Sequence, residues 1–318
     1  MAEPCAVACL GILVADMVAA PVAEVPPAGE LRLVGQMGLY VGGCAANTAS
    51  GLARLGIPVR VLGKVGADPL GDFLRGALTA DGVDTRGLIV APGSATSATM
   101  ALVGPSGERA FLHTFGGNGD LVAEEIDLAA CGDARILHIG GVGLLPSLDG
   151  EPLARVCRAA KARGLTVTLD TAWDPLGHWR GPLAALPAVD YFLPSREEAA
   201  HIFGVSEPEA IVRAARAHGA RAVVVKLGAE GCYVDAGGPP VRLPALTGPV
   251  VDTTGAGDAF CAGFLAGVAQ GWDAEASARL GIAVGCMAVS RMGAVSAIRS
   301  LAEALEVSRR GGLKQSES

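Results

Sequence analysis

Short runs of β-branched and aliphatic residues alternate along the chain with longer Ala/Leu-rich segments whose apolar positions recur at helical spacing. The apolar runs predict core strands at residues 6–14, 59–65, 136–139, 166–170, 191–193 and 222–226, and the intervening periodicity predicts helices at 45–55, 70–81, 153–163, 197–203 and 208–218. A repeated strand-then-helix order is how parallel strands joined by crossover helices read in sequence, so an α/β fold with a mainly parallel sheet is expected. Two segments break the alternation. Residues 22–40 contain Pro26, Pro27 and Gly29, and residues 94–115 contain two strand-like runs, 96–103 and 109–114, around Gly104-Pro105-Ser106-Gly107. The second predicts a β-hairpin. Neither segment has a helix to bury it, and together they are expected to form a small sheet projecting over the main body as a lid. Residues 1–313 are read as one domain and the polar tail 314–318 as disordered.

Composition narrows the picture. With 51% hydrophobic and 18% charged residues in 318, the chain is not a disordered one and can build a large core. Its 25 Lys+Arg against 32 Asp+Glu give a net charge of −7, and no basic block is present, so nucleic acid is not an expected partner. Forty-five glycines against 3 Trp, 3 Tyr and 7 Phe imply tight turns and close backbone approaches, with Ala, Val and Leu carrying the packing. The 8 cysteines form no C-x-x-C pair and have no histidines at zinc spacing, which reads as buried free thiols. Residues 5–23 are apolar, yet Glu3 stands where a signal peptide is basic and Asp16 interrupts the run, so a first buried strand is expected there. No stretch of about 18 unbroken apolar residues occurs. A cytoplasmic protein with no membrane partner is the expectation.

Chemistry is concentrated in Asp252-Thr253-Thr254-Gly255-Ala256-Gly257-Asp258, followed by an apolar helical run over residues 259–268. Gly255, Ala256 and Gly257 at a helix start would leave backbone N–H groups aimed at one point, where the helix dipole adds positive potential: an anion hole. Asp258, in the first turn, could take a proton from a hydroxyl attacking a phosphoryl group held there. An ordinary helix capped by Thr253 or Thr254 would use similar residues, but the whole string is more specific than its parts. No G-x-x-x-x-G-K-[ST] and no complete dinucleotide fingerprint competes with it.

The string D-T-x-G-A-G-D ahead of an apolar helix resembles the C-terminal signature of the PfkB/ribokinase family of carbohydrate kinases. The resemblance spans nearly the whole chain. Gly42-Gly43-Cys44-Ala45-Ala46-Asn47-Thr48-Ala49, with Gly56 and Gly66 after it, is similar to the N-terminal signature, in which glycines and an asparagine hold sugar hydroxyls. Asp16 and Asp170 resemble the family's substrate-binding and mid-chain aspartates. Leu193-Pro194-Ser195-Arg196-Glu197-Glu198 is similar to its N-x-x-E element, with Ser195 where Asn is usual and Glu198 organising magnesium through water. Lys226-Leu227-Gly228-Ala229-Glu230-Gly231 resembles the nucleotide-side loop, giving Lys226, Gly228 and Gly231, with Thr254, as nucleotide contacts.

This resemblance implies a three-layer α/β/α ribokinase-like fold with a β lid. It implies ATP-dependent phosphorylation of a hydroxyl on a small sugar or sugar acid, assisted by Mg2+. His113, beside Arg109 and Phe111 on the hairpin, falls where the family closes over its sugar. Asp252 and the segment around Gly293 resemble the elements that hold a potassium ion in some relatives, and lid sheets of such kinases often meet across a two-fold axis, implying a homodimer. A nucleoside kinase is the alternative acceptor class, because Met37, Leu39, Tyr40, Phe111 and Phe115 could line a slot for a base. A non-catalytic sugar sensor would have no use for an intact Asp258 between such glycines.

Overall fold

A computed structural model describes residues 5–106 and 108–313; Gly107, in the expected hairpin turn, and the tail 314–318 lie outside the described residues. The chain opens with the buried strand β1 (Val7–Gly11), then leaves that sheet and begins β2 (Val14–Ala20) in a different one. The sequence expectation of one strand over 6–14 is corrected here. Gly11 makes the break: its φ is 146°, and a Cβ would overlap the carbonyl oxygen of Gly140. The first half continues through β3 (Gln36–Gly42), α1 (Cys44–Arg54), β4 (Val59–Gly66), α2 (Pro69–Ala80), β5 (Asp84–Ala91), β6 (Ala98–Val103), β7 (Arg109–Thr114) and the short α3 (Gly116–Asp120). The second half runs β8 (Ile136–Val142), α4 (Glu151–Ala162), β9 (Thr166–Thr171), β10 (Tyr191–Phe192), α5 (Arg196–Phe203), α6 (Pro208–Ala217) and β11 (Ala222–Lys226). It closes with β12 (Cys232–Asp235), β13 (Val241–Leu243), α7 (Ala256–Ala269), α8 (Ala274–Ala288) and α9 (Leu301–Arg310).

Nine strands form the main sheet in the order β13-β12-β11-β10-β9-β8-β1-β4-β5, all running the same way except β12, which pairs antiparallel with both β11 and the edge strand β13. Both faces are covered, which shows in β1 itself. Ala8 and Leu10 join the core beneath α4, α5 and α6, while Val7 and Cys9 join the one beneath α1, α2, α7, α8 and α9. Alternate side chains of a strand point to opposite faces, so a run apolar at every position is what a two-sided core demands. The result is the three-layer α/β/α fold.

The edge strands β5 and β13, the strand β12 beside β13, and helices α8 and α9 were not among the elements the periodicity predicts. The small-residue packing of α8 against α7 explains its absence. A Cβ on Gly263 would lie 2.8 Å from the Leu280 carbonyl oxygen, and one on Gly267 would lie 2.6 Å from Ser277 Oγ. Helices in such contact are apolar nearly all round and carry no stripe.

A second sheet, ordered β3-β2-β6-β7, projects from the main body. The expected first lid segment, 22–40, is corrected here: lid strand β2 at 14–20 lies before it, β3 at 36–42 overlaps only its end, and residues 21–35 hold no strand. No helix among the described residues is long and apolar enough to cross a membrane.

Candidate active site

Between the lid and the C-terminal ends of the central strands lies a cavity of about 410 Å³. Asp16, Gly43, Asn47, His113, Thr254, Gly255 and Asp258 all line it. These residues come from both ends of the chain, and the packing of α1 on α7 joins them. Gly51 of α1 lets Ala262 of α7 approach, since a Cβ there would stand 2.7 Å from the Ala262 methyl. One turn nearer the helix starts, Asn47 Nδ2 donates to Asp258 Oδ2 at 2.8 Å, and Thr48 Oγ1 donates to the Asp258 carbonyl at 3.3 Å.

Gly255, in the left-handed region at φ 70°, turns the chain into α7 and is packed so closely on Ala294 that a Cβ would overlap it. Among the described residues, no backbone hydrogen bond engages the N–H groups of Gly255, Gly257 or Asp258, whereas that of Ala256 donates to the Thr253 carbonyl at 3.3 Å. The open donors are therefore on either side of Ala256. Beneath them lies a buried cation. A Cβ on Gly257 would be 3.2 Å from Lys226 Nζ, which is itself 2.6 Å from Asp170 Oδ1.

Lys226 is thus turned under the helix start rather than toward the loop that holds Gly228 and Gly231. Burial opposes its charge, but Asp170, Cys261 and Glu198 outweigh burial and raise its pKa. Burial raises the Asp170 carboxyl, opposed by the Lys226 ammonium 2.6 Å away. Burial also raises the Asp258 carboxyl, opposed by the Asn47 hydrogen bond and the Lys226 charge. Cys44 joins this cluster, its sulfur and one oxygen each of Asp170 and Asp258 lying within 4.8 Å of one another.

Asp16 stands on lid strand β2, opposite Tyr40 of β3 and Thr99 of β6. A Cβ on Gly42 would overlap its carboxylate, so glycine there makes the room Asp16 occupies. Burial raises Asp16 to about 6, against a hydrogen bond from Thr99 and with a further push from Asp258. Thr99 Oγ1 also lies 3.0 Å from His113 Nδ1. Burial lowers the His113 pKa. Gly43, at φ 93°, begins α1 and packs on the Ile12 carbonyl.

Ser195 and Glu198 do not line the cavity. Ser195 caps α5, accepting from the Glu198 N–H at 3.2 Å, and Glu198 Oε2 accepts from the Ser195 N–H at 3.2 Å and from Thr171 Oγ1 at 2.7 Å. The hydroxyl that replaces the usual Asn is thus committed to its helix. Gly228 and Gly231 shape the turn between β11 and β12 at φ 57° and 95°. On the lid side, Arg109 binds the Asp252 carboxylate at 2.5 Å and also contacts Thr254 Oγ1. Asp252 further accepts from the N–H groups of Thr254 at 2.8 Å and Gly293 at 3.1 Å. These contacts hold its carboxyl at about 2 despite burial. Sequence reasoning placed Arg109 on the lid but not on this loop. The signal was the two-residue spacing of Arg109, Phe111 and His113, which puts all three on one face of β7.

The sequence profile of the pfkB family carbohydrate kinase matches residues 6–301. An uncharacterized sugar kinase of Archaeoglobus fulgidus is 34% identical over 245 residues, covering 77% of this chain and 96% of the relative. A fructokinase of Klebsiella pneumoniae is 32% identical over 255 residues, covering 78% and 82%. Among solved structures, a fructokinase of Xylella fastidiosa with bound ATP superposes with a TM-score of 0.81 at 26% identity, over 96% of this chain and 98% of that one. An E. coli protein assigned as a ribokinase II, in complex with ATP and Mg2+, gives 0.82 at 26% identity, over 96% and 100%. With the family profile spanning nearly all of the chain and a cavity that gathers both signature motifs, this protein belongs to the pfkB family of carbohydrate kinases.

Proposed function

We propose that the protein transfers the γ-phosphoryl group of ATP to a hydroxyl of a small sugar or sugar acid, with Asp258 as general base. The observation that carries this is the adjacency at the start of α7. A buried carboxylate oriented by Asn47 at 2.8 Å sits one residue beyond open backbone N–H groups, with the Lys226 ammonium beneath them. Such donors, fixed before the reaction begins, stabilise charge on a transferring phosphoryl group without reorganising.

The acceptor hydroxyl lies against Asp258 and gives up its proton as its oxygen forms the new P–O bond. The bond from the γ-phosphorus to the bridging oxygen breaks, and ADP leaves with that electron pair. Asp16 and Asn47 take other hydroxyls of the acceptor; a carboxylate accepts two and an amide both donates and accepts. His113, through Thr99, belongs to the same wall, and lid closure keeps water from competing as acceptor. Gly228 and Gly231 shape the nucleotide side.

Mg2+ would neutralise the phosphates, and Glu198, whose hydrogen bonds fall on one carboxylate oxygen, is the hard oxygen ligand that would hold it through water. Asp252 could reach a potassium ion only through Oδ2, which takes the Gly293 N–H alone, because Arg109 and the Thr254 N–H already engage Oδ1. The remaining ligands of a potassium ion would be carbonyl groups of residues 291–296. Lid pairing across a two-fold axis completes the proposal, since Met37, Met100 and Leu112 are exposed on the lid strands and lie outside the cavity lining. A coupled ADP-release screen over sugars and sugar acids tests it. Turnover of at least one of them that Asp258→Asn lowers by about 10² to 10⁴-fold is expected; a variant within threefold of the parent excludes Asp258 as base.

A further inference from the structure

Besides the polar Asp16, Asn47 and Asp258, the lining of the acceptor cavity includes the apolar side chains Trp173, Leu144 and Phe111. A bare sugar is polar around its rim and offers only small C–H faces to three such side chains. Trp173 is 56% exposed although it is a large aromatic side chain at the cavity rim. An exposed ring of that size in a concave site is the usual mark of a ligand contact.

Its loop is built to hold it. Buried Asp174 accepts from the N–H groups of Leu176 and Trp179, both at 2.8 Å. Trp179 is held at φ 51°, the only non-glycine residue with positive φ among the described residues, a conformation a bulky side chain adopts only when its surroundings impose it. Trp179 stacks on His201 with ring centroids 4.4 Å apart, and Trp173 meets both rings edge to face at 5.0 Å. Trp173 lines the same cavity as Asp16 and Asn47, together with Thr254 and Gly255 of the phosphoryl-transfer loop, while Ser195, Gly228 and Gly231 lie outside it, which favours the acceptor side for Trp173.

We infer that Trp173 is the specificity-determining platform of the acceptor pocket, and that the sugar it selects carries an apolar, planar substituent, as a glycoside does. This deepens the proposed kinase reading and rests on it for the placement of the sugar hydroxyls. The hydroxylated ring would occupy the Asp16 and Asn47 wall, and the substituent would stack on the indole, where offset and edge-to-face geometries are favoured.

Calorimetric titration of the whole protein with two matched pairs, D-glucose against phenyl β-D-glucopyranoside and D-ribose against uridine, tests this without requiring turnover. In at least one pair the substituted compound should bind tenfold or more tightly than its bare partner. Trp173→Ala should abolish that preference, and Trp173→Phe should keep most of it. Equal or better binding of the bare sugars, no binding by any of the four, or a preference unchanged in Trp173→Ala would overturn the platform. ADP release with the same compounds reads the other proposal separately: selective binding that Trp173→Ala removes, with no ADP release, leaves the platform standing and counts against the kinase reading.

Discussion

The guanidinium of Arg109 on lid strand β7 stands 2.5 Å from the Asp252 carboxylate, across 143 residues of chain, and its other nitrogen contacts Thr254. The lid is thereby fastened to the loop that leads into the candidate anion hole. Arg109→Ala is expected to raise the acceptor KM by about tenfold with little loss of stability, since a partly exposed ion pair contributes about 0 to 1 kcal/mol. Arg109→Lys should recover only part of the effect, because an ammonium cannot span both partners as a planar fork does. Steady-state kinetics of the two variants decide it; an unchanged KM in Arg109→Ala would mean that the clasp has no part in holding the acceptor.

The raised pKa of Asp16 makes a pH prediction with a definite sign. Acceptor binding needs its ionised form, so kcat/KM should fall as pH drops through about 6, and Asp16→Asn should remove that limb along with much of the affinity. For folding the sign is opposite. A carboxyl raised in the folded state favours folding when protonated, and this contribution is lost as pH climbs from the ordinary carboxylate range through about 6. Gly42→Ala, which crowds the carboxylate, should raise the acceptor KM while the ATP KM stays the same. A profile flat between pH 5 and 7 would refute the role given to Asp16.

Lys226 and Asp170 form an ion pair with side chains 11% and 2% exposed. Removing one partner leaves an unpaired buried charge, so Lys226→Met should cost roughly 3 to 5 kcal/mol in urea unfolding. Lys226→Met combined with Asp170→Asn should lose less than the sum of the single variants. Strict additivity would show that the two groups do not act as a pair.

Light scattering at micromolar concentration reads the lid. Twice the single-chain mass is expected, and Leu112→Glu, on the exposed face of a lid strand, should shift the population toward one chain. A single-chain mass for the parent protein would mean that the lid serves only its own site.

The sequence by itself determined the layered α/β class and the glycine-rich start of α7 with Asp258 in its first turn. Both follow from local rules: a strand buried on two faces must be apolar at every position, and a glycine-rich helix start leaves donors open wherever it occurs. It also put Arg109, Phe111 and His113 on one strand face, because that periodicity is fixed at two. Tertiary structure decided what no local pattern encodes. The break between β1 and β2 depends on how closely Gly11 meets Gly140, and the course of α8 on Gly263 and Gly267. Lys226 reads in sequence as part of a nucleotide loop, yet its long side chain runs beneath Gly257 to Asp170, a partner 56 residues away. Asn47 meets Asp258 across 211 residues because Gly51 and Ala262 let two helices touch. Such contacts are set by packing between distant segments, where the energy of each residue depends on neighbours that the linear chain does not name.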